Sequence, residues 1–417
     1  MLSLYRLLIN LILIISPIII VYRLIKKKES LLRFKEKFGF FSERRLKGNL
    51  LWFHGASVGE LQSIVPLIEK IEKNKEVNQI LITTNTLSSS KIIKKLKFKK
   101  VIHQFFPIDT NFHSKKFLNY WKPKTAFFID SEIWPNTIMN LHEKKIPIIV
   151  LNGRITKKTF DKWKLLPRFS NFIFKKITLC LSSSKVSKIY LQKLGVKNLK
   201  YLGNLKFSQS EKEQISKFNN LKQIIKKKYV WCASSTHFNE EKLCGLAHKY
   251  LKKKYPNLLT IIIPRHIERT NSIINELAKI NLKANKFDTN TKIKKNIDIF
   301  IIDSYGKTKS IYNICKNIFL GGSLIAHGGQ NPLEATRFGC NILHGPNIEN
   351  FKEIYDYLGR LKLTSKVNNH LQLSSKLNYL FLKKNKSKKI RNKLSKIGDK
   401  ILINTYNEIY NFIKNEN

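Results

Sequence analysis

The chain has 417 residues, too many for one ordinary core and suited to two domains of roughly 150–200 residues each. A hydrophobic content of 42% supplies both cores and excludes a globally disordered protein. The formal net charge of +50, from 78 Lys and Arg against 28 Asp and Glu, draws anions: phosphorylated substrate, anionic lipid or nucleic acid. Lys, Ile and Asn are abundant together, a bias that an AT-rich genome imposes, so part of that charge carries no functional meaning. Against a Lys-rich background Arg154, Arg265, Arg269 and Arg337 stand out, because a planar guanidinium grips carboxylate or phosphate. The cysteines (Cys180, Cys232, Cys244, Cys315, Cys340) form no CxxC pair and read as small core residues of a reducing compartment.

Residues 1–23 come first, as an N-terminal membrane anchor helix. Leu7 to Tyr22 is almost wholly apolar, broken by Asn10, Ser16 and Pro17, and slightly short of the ~17–25 residues of a comfortable span. No small-residue cleavage site follows it, which favours a retained anchor over a removed signal peptide. Heavier positive charge on its C-terminal side, at Arg23 and Lys26 to Lys28, places the body of the protein in the cytoplasm. The segment is compatible with crossing the bilayer and with lying along it. From Arg23 to Lys47 basic residues interleave with Leu31, Leu32, Phe34, Phe38, Phe40 and Phe41. That pattern predicts an amphipathic segment on an anionic membrane, or a surface helix packed on the first domain.

Residues 24–207 alternate short apolar runs with helical patterns. The predicted strands are Leu50–His54, Ile80–Thr84, Val101–Phe105, Thr125–Ile129, Ile146–Leu151, Thr178–Leu181 and Leu199–Leu202. A polar, Lys-rich stretch over 208–228 reads as a linker. The alternation resumes over 229–373, with strands at Tyr229–Ala233, Leu258–Ile263, Ile297–Ile302, Asn317–Leu320 and Asn341–Leu343, and 374–417 forms a helical tail. The fold class is therefore α/β: two doubly wound, Rossmann-like domains in tandem. Such sheets bind ligands beyond the carboxyl ends of their strands.

Chemistry-bearing residues cluster just after those strands. His54-Gly-Ala-Ser-Val-Gly-Glu60 is a Gly-bearing turn (Gly55, Gly59) into a helix, with Glu60 in the first turn, where the helix dipole favours an ionised carboxylate suited to accepting a proton. The same Ser57-Val-Gly-Glu60 fits a capping box, in which Glu60 only satisfies backbone N–H groups. Asp130 and Glu132 follow the fourth strand and orient a hydroxyl or a cationic group, or else Asp130 or Ser131 caps the helix opened by Pro135. Arg154 in Leu151-Asn-Gly-Arg154 and Lys206 in Leu202-Gly-Asn-Leu-Lys206 supply cations beside glycines. In the second half, Ser235-Thr236-His237 and Pro264-Arg265-His266 follow strands. Gly321-Gly322-Ser323 and His327-Gly-Gly-Gln-Asn-Pro-Leu-Glu334 read as an anion cradle with outward donors, Glu334 being placed for a ribose. No G-x-x-x-x-G-K-[ST] and no HExxH occur, so neither a P-loop nor a metalloprotease motif is present.

Taken together, Ser57-Val-Gly-Glu60, Glu132-Ile-Trp-Pro-Asn136, Leu205-Lys-Phe207, Ser235-Thr-His237, Pro264-Arg-His266 with Glu268 and Arg269, and Asn331-Pro-Leu-Glu-Ala335 resemble the 3-deoxy-D-manno-octulosonic acid (Kdo) transferases specific for lipid A, over nearly the whole chain. The resemblance implies a GT-B glycosyltransferase, two Rossmann-like domains facing a cleft. It implies a CMP-Kdo donor, the lipid A precursor lipid IVA as acceptor, inversion without a metal, and no cofactor. It places the protein at the cytoplasmic face of the bacterial inner membrane, in lipopolysaccharide biosynthesis, with the anionic membrane as partner and no nucleic acid. By the same resemblance Glu60 is the proton acceptor, and Asp130 and Lys206 stabilise the transition state. Pro264, Arg265, Tyr305, Gly306, Lys307, Asn331, Pro332, Leu333 and Glu334 bind the nucleotide. Asp130 stands where Glu is familiar, and Lys307 where Glu is usual. A GT-B enzyme using a UDP-sugar on another membrane glycolipid is the alternative.

Overall fold

The computed structural model describes residues 1–96, 98–209, 219–226, 228–287, 297–383 and 386–414. The chain divides into two compact units, Met1–Gln209 with Ile397–Asn417, and Ser210–Lys396. Of the stretch read as a linker, residues 210–218 and 227 lie outside the described residues, and Asn219–Ile225 is helical.

The first unit is built on a parallel sheet of β1 (Leu50–His54), β2 (Gln79–Thr84), β3 (Val101–Phe105), β4 (Thr125–Ile129), β5 (Ile148–Gly153), β6 (Leu179–Ser182) and β7 (Leu199–Tyr201). Their spatial order is β3-β2-β1-β4-β5-β6-β7. The strand predicted from Ile146 begins at Ile148, because Pro147 has no N–H for the ladder; its carbonyl still accepts from Ala126 N–H at 3.0 Å. Trp52 on β1 is fully buried, with Phe117 at 4.8 Å, Phe128 at 5.4 Å and Phe106 at 6.1 Å between ring centroids. Its indole N–H donates to Thr83 Oγ1 at 2.9 Å, so the polar atom of this ring is satisfied.

The second unit repeats the plan with β8 (Tyr229–Thr236), β9 (Leu258–Pro264), β10 (Ala284–Lys286), β11 (Ile299–Ile301), β12 (Asn317–Leu320), β13 (Asn341–His344) and β14 (Thr364–Lys366). The order is β10-β11-β9-β8-β12-β13-β14, again parallel throughout. The edge strands β10 and β14 escape sequence reading, being three residues each with no apolar run.

In both sheets the order reverses beside the first strand, between β1 and β4 and between β8 and β12. Helices leave to opposite faces there, and a crevice opens beyond the strand ends.

Helix α1 (Leu2–Ile25) is the one described helix long and apolar enough to cross a membrane by length and composition. Only Ile9, Ser16 and Ile20 are buried; Ile14, Ile18 and Ile25 are each 73% exposed. The amphipathic segment expected over Arg23–Lys47 is not a long helix. It holds a five-residue 3-10 helix, Phe34–Phe38, and is pinned to the first unit by buried acids. Glu36 accepts from Arg33 Nε at 2.6 Å, Ser42 Oγ at 2.6 Å and the Phe105 N–H at 2.6 Å; Glu29 accepts from Arg23 at 3.1 Å and Lys37 at 2.5 Å. Leu31 and Leu32 remain exposed.

The residues grouped by sequence as one tail divide between the units. Ile397–Asn417 belongs to the first, where Phe412 and Ile413 carbonyls accept from Thr125 Oγ1 at 2.8 Å and Asn49 Nδ2 at 2.9 Å.

Truncating the centre of the first core tests this packing. Phe117→Ala is expected to cost about 3–5 kcal/mol, read as a lower urea midpoint for the first unit.

Candidate active site

The carboxyl ends of β1, β4 and β5 and the turn after β7 gather one polar cluster. β1 ends at His54, and α2 (Val58–Glu72) starts three residues after Gly55. The capping box forms as spaced: Ser57 Oγ receives the Glu60 N–H at 3.4 Å, and Ser57 Oγ–H donates to Glu60 Oε1 at 2.7 Å. Glu60 Oε2 accepts from Ala56 N–H at 2.7 Å and Ser57 N–H at 3.4 Å. These bonds hold the half-buried carboxylate in one orientation at the crevice.

The dipole does not dominate its protonation. Burial raises the Glu60 carboxyl above its ordinary value, and the Glu132 and Asp130 carboxylates add to the rise. The Ser57 hydroxyl and Ala56 amide pull it back.

Asp130, just past β4, has φ +57°, a left-handed backbone that Asp tolerates better than most residues. Its Oδ1 accepts from the Asn152 side-chain amide, and Lys206 Nζ lies 3.4 Å from Oδ2. Asn152, also at φ +56°, receives the Leu205 N–H on Oδ1 at 2.9 Å, and Asn204 Oδ1 takes the Lys206 N–H at 2.9 Å. Lys206 is thus presented by a 3-10 turn clamped to the end of β5. The Arg154 N–H donates to the Asp130 carbonyl at 3.1 Å.

Glu132 lies between two ring donors: Trp134 Nε1–H at 2.9 Å and His54 Nε2 at 3.2 Å. His54 is fully buried, and its Nδ1 pairs with Thr83 Oγ1 at 2.9 Å. The roles of His54, Asn152 and Asn204 escaped sequence reading. All three fall inside or beside the motifs, but only the sheet shows what they hold.

Gly55 and Gly59 differ. A Cβ on Gly55 would meet Ile129 Cδ1 at 3.0 Å, whereas at Gly59 nothing lies within 4 Å. Gly59 has no positive φ, so no sharp turn requires it; its missing side chain leaves the space beside Glu60 open.

In the second unit the candidate residues share the carboxyl edge of β8, β9, β11 and β12. β8 ends in Ser235 (φ +56°) and buried Thr236, and β12 runs into Gly321-Gly322. A Cβ on Gly321 would fall 2.5 Å from Ser235 O and 2.6 Å from Thr236 Cα, so only glycine lets these turns touch.

Glu240, unremarked in the sequence, closes that turn. Its fully buried carboxylate accepts from the N–H groups of His237 at 3.0 Å, Gly322 at 2.6 Å, Ser323 at 3.0 Å and Leu324 at 2.9 Å. The Gly322 and Ser323 amides, expected to point outward at an anion, therefore face an internal carboxylate. Ser323 Oγ is likewise inward, donating to Leu320 O at 2.5 Å and accepting from Gly345 N–H at 2.8 Å. Arg269 is spent on buried Glu241 at 3.1 Å.

Arg265 and His266 remain exposed after β9, and Tyr305 and Gly306 after β11. Lys307 caps the helix Thr308–Ile314 by accepting the Ile311 N–H on its carbonyl at 3.2 Å. Asn331 Oδ1 accepts the Leu333 N–H at 3.1 Å, opening the short helix Leu333–Arg337 that carries half-buried Glu334. Pro332 and Leu333 are buried beneath it. His237 lies against His327 with centroids 4.0 Å apart and the rings tilted by 42°, and His266 lies at 5.7 Å. Burial first, then these two rings and Arg265 and Arg269, lower His237 to about 4, so it is neutral at neutral pH.

Two doubly wound units in one chain, each with its polar cluster at the sheet's switch point, define a protein of the GT-B fold class. A family profile described as "3-Deoxy-D-manno-octulosonic-acid transferase (kdotransferase)" matches residues 32–209. A 3-deoxy-D-manno-octulosonic acid transferase of Rickettsia bellii is 33% identical over 396 residues, 94% of this chain and 93% of the relative. One of Haemophilus influenzae is 28% identical over 402 residues, covering 94% and 93%. This chain belongs to the 3-deoxy-D-manno-octulosonic acid transferase family. Among solved structures, a glycosyltransferase of Rickettsia africae superposes with a TM-score of 0.57 at 12% identity, over 89% of this chain and 100% of that one, a likeness of fold.

Two measurements check this geometry. Glu132→Gln removes a negative neighbour, so the Glu60 carboxyl is expected to titrate at lower pH in carboxyl-carbon NMR. Gly321→Ala forces Ser235 and Thr236 apart and is expected to destabilise the second unit by about 2–3 kcal/mol, seen in urea unfolding.

Proposed function

We propose that this enzyme transfers Kdo from CMP-Kdo to the primary hydroxyl of lipid IVA, with inversion and without a metal, at the cytoplasmic face of a bacterial inner membrane. The observation that carries the reading is the convergence of Glu60, Asp130, Glu132 and Lys206 at the β1/β4 switch point. Family membership supports Kdo as the sugar.

The acceptor hydroxyl lies against Glu60. Glu60 takes its proton as the oxygen bonds to the anomeric carbon, and the bond from that carbon to the CMP phosphate breaks, its electron pair leaving with CMP. A carboxyl raised above the ordinary range is a stronger base than an exposed Glu. Lys206, oriented through Asp130, offsets negative charge as the acceptor and the sugar carboxylate come together. CMP is held by the second unit at Pro264, Arg265, Tyr305 to Lys307 and Asn331 to Glu334. Lys307 suits a phosphate oxygen where a carboxylate would repel it. Helix α1, with its outward apolar face, anchors the enzyme, and the excess of basic residues attracts anionic lipid and a bisphosphorylated acceptor.

The test is incubation with lipid IVA and CMP-Kdo generated in situ, with mass spectrometry of the lipid. The expected product carries one or more added Kdo units; unmodified lipid overturns the reading. CMP is expected to raise the melting temperature, and stabilisation by UDP instead would point to a UDP-sugar donor. Glu60→Gln is expected to lower kcat about 10²–10⁴-fold with CMP protection unchanged; near-full activity would remove Glu60 from the role of base.

A further inference from the structure

Asp109, after β3, belongs to no motif read from the sequence. It is 1% exposed. Its Oδ2 accepts from the Tyr5 hydroxyl at 2.8 Å and the Asn136 N–H at 3.0 Å. Its Oδ1 accepts from the Thr137 N–H at 2.9 Å and the Thr137 hydroxyl at 2.5 Å, and its carbonyl accepts from Asn136 Nδ2 at 2.7 Å. Asn136 is fully buried, and its Oδ1 receives Arg6 Nε–H at 3.0 Å; Arg6 Nη2 also reaches Asn111 Oδ1 at 3.3 Å.

Tyr5 and Arg6 are in the opening turns of α1. Asn136 and Thr137 open the helix Pro135–Glu143, directly after Trp134, whose indole holds Glu132 beside the Glu60 cluster. A helix that served only to partition into lipid would need apolar side chains, which the outward face supplies. It would not need hydrogen bonds to a buried carboxylate that also holds the opening of the helix after Trp134.

We propose that Tyr5 and Arg6 are positioning residues for glycosyl transfer. The start of α1 sets, through Asp109 and Asn136, the Glu132–Trp134 wall of the acceptor site, so seating the apolar helix and shaping that site are one event. The inference rests on the reading that the Glu60 cluster receives the acceptor.

Charge balance at Asp109 makes the linkage sensitive. Burial pushes its carboxyl up to about 6, and the bonds from Thr137, Tyr5 and Asn136 hold it down. Tyr5 faces it from α1, and Asn136 and Thr137 from the following helix; the Arg6 guanidinium sits one residue away on Asn136. Loss of the Tyr5 hydroxyl raises Asp109 further. A protonated Asp109 has fewer lone pairs for the two amides, so the wall loosens as pH falls.

The experiment uses the full chain in detergent micelles containing lipid IVA. Wild type is assayed first: no transfer by wild type sinks the functional reading itself. With wild type active, Tyr5→Phe and Arg6→Gln are expected to raise the acceptor KM about 3–10-fold while the CMP-Kdo KM holds. Tyr5→Phe also moves the acid limb of acceptor kcat/KM to higher pH and speeds amide hydrogen exchange at Asn136 and Thr137. Ile14→Asn, on the exposed face of α1, is expected to weaken sedimentation with anionic vesicles and leave the micellar kinetics unchanged. Wild-type acceptor KM, pH profile and exchange in both Tyr5→Phe and Arg6→Gln would overturn the proposal and leave α1 as an anchor only. Should Tyr5→Phe fail to fold, the Arg6→Gln kinetics and exchange decide alone.

Discussion

Buried carboxylates that collect backbone N–H groups hold the turns on which both polar clusters stand. Backbone amides past a strand end have lost the ladder, and they are costly to bury without a partner. An ionised carboxylate offers about four acceptor sites, and charge-assisted bonds offset its own desolvation. Glu240 gathers four amides between β8 and β12, Asp109 two amides and two hydroxyls after β3, and Glu36 the last amide of β3. In a chain with 28 acidic residues against 78 basic ones, so many acids placed inside is a structural use of a scarce group. Of the arginines singled out for their rarity, Arg269 pairs with buried Glu241, and Arg33, outside that group, pairs with Glu36.

The same economy governs the cluster at Glu60. Capping and chemistry look like rival accounts of a Glu in the first helical turn, yet the capping bonds leave room for both. The capping bonds fix where the carboxylate points, while burial and two acidic neighbours decide how tightly it holds a proton. Left-handed backbone at Asp130 and Asn152 turns both side chains toward each other and toward Lys206. Asn and Asp accept that conformation at modest strain, which suits a site needing a short polar side chain at a sharp turn. Ser235 pays more for φ +56°, and Gly321 beside it supplies the space that lets the strained turn stay closed.

The outward faces follow a different logic. α1 exposes Leu, Ile and Val along most of its length, and Leu31 and Leu32 after it are exposed as well. Yet the segment after α1 is tied down by Glu29 and Glu36 instead of lying as a free amphipathic helix, because its buried acids find half-buried cations and an edge amide on the first sheet. Interleaved Lys and Phe on paper could not reveal that pairing.

Alternating apolar runs determined the two doubly wound sheets from sequence alone: continuous Leu-Leu-Trp-Phe-His or Leu-Leu-Thr-Ile-Ile-Ile, short and bounded by turn residues, read as strands covered on both faces. The strand-end positions of Glu60, Asp130, Lys206, Arg265 and Asn331 were equally legible, since turn residues mark where each strand stops. The short edge strands β10 and β14 were not, because they bury too little to carry a pattern. Which amides face a ligand and which face Glu240, that Glu132 belongs to His54 and Trp134, and that Tyr5 reaches Asp109 across 104 residues were decided by tertiary structure. Such contacts depend on strand order and on left-handed turns, and a linear spacing contains neither.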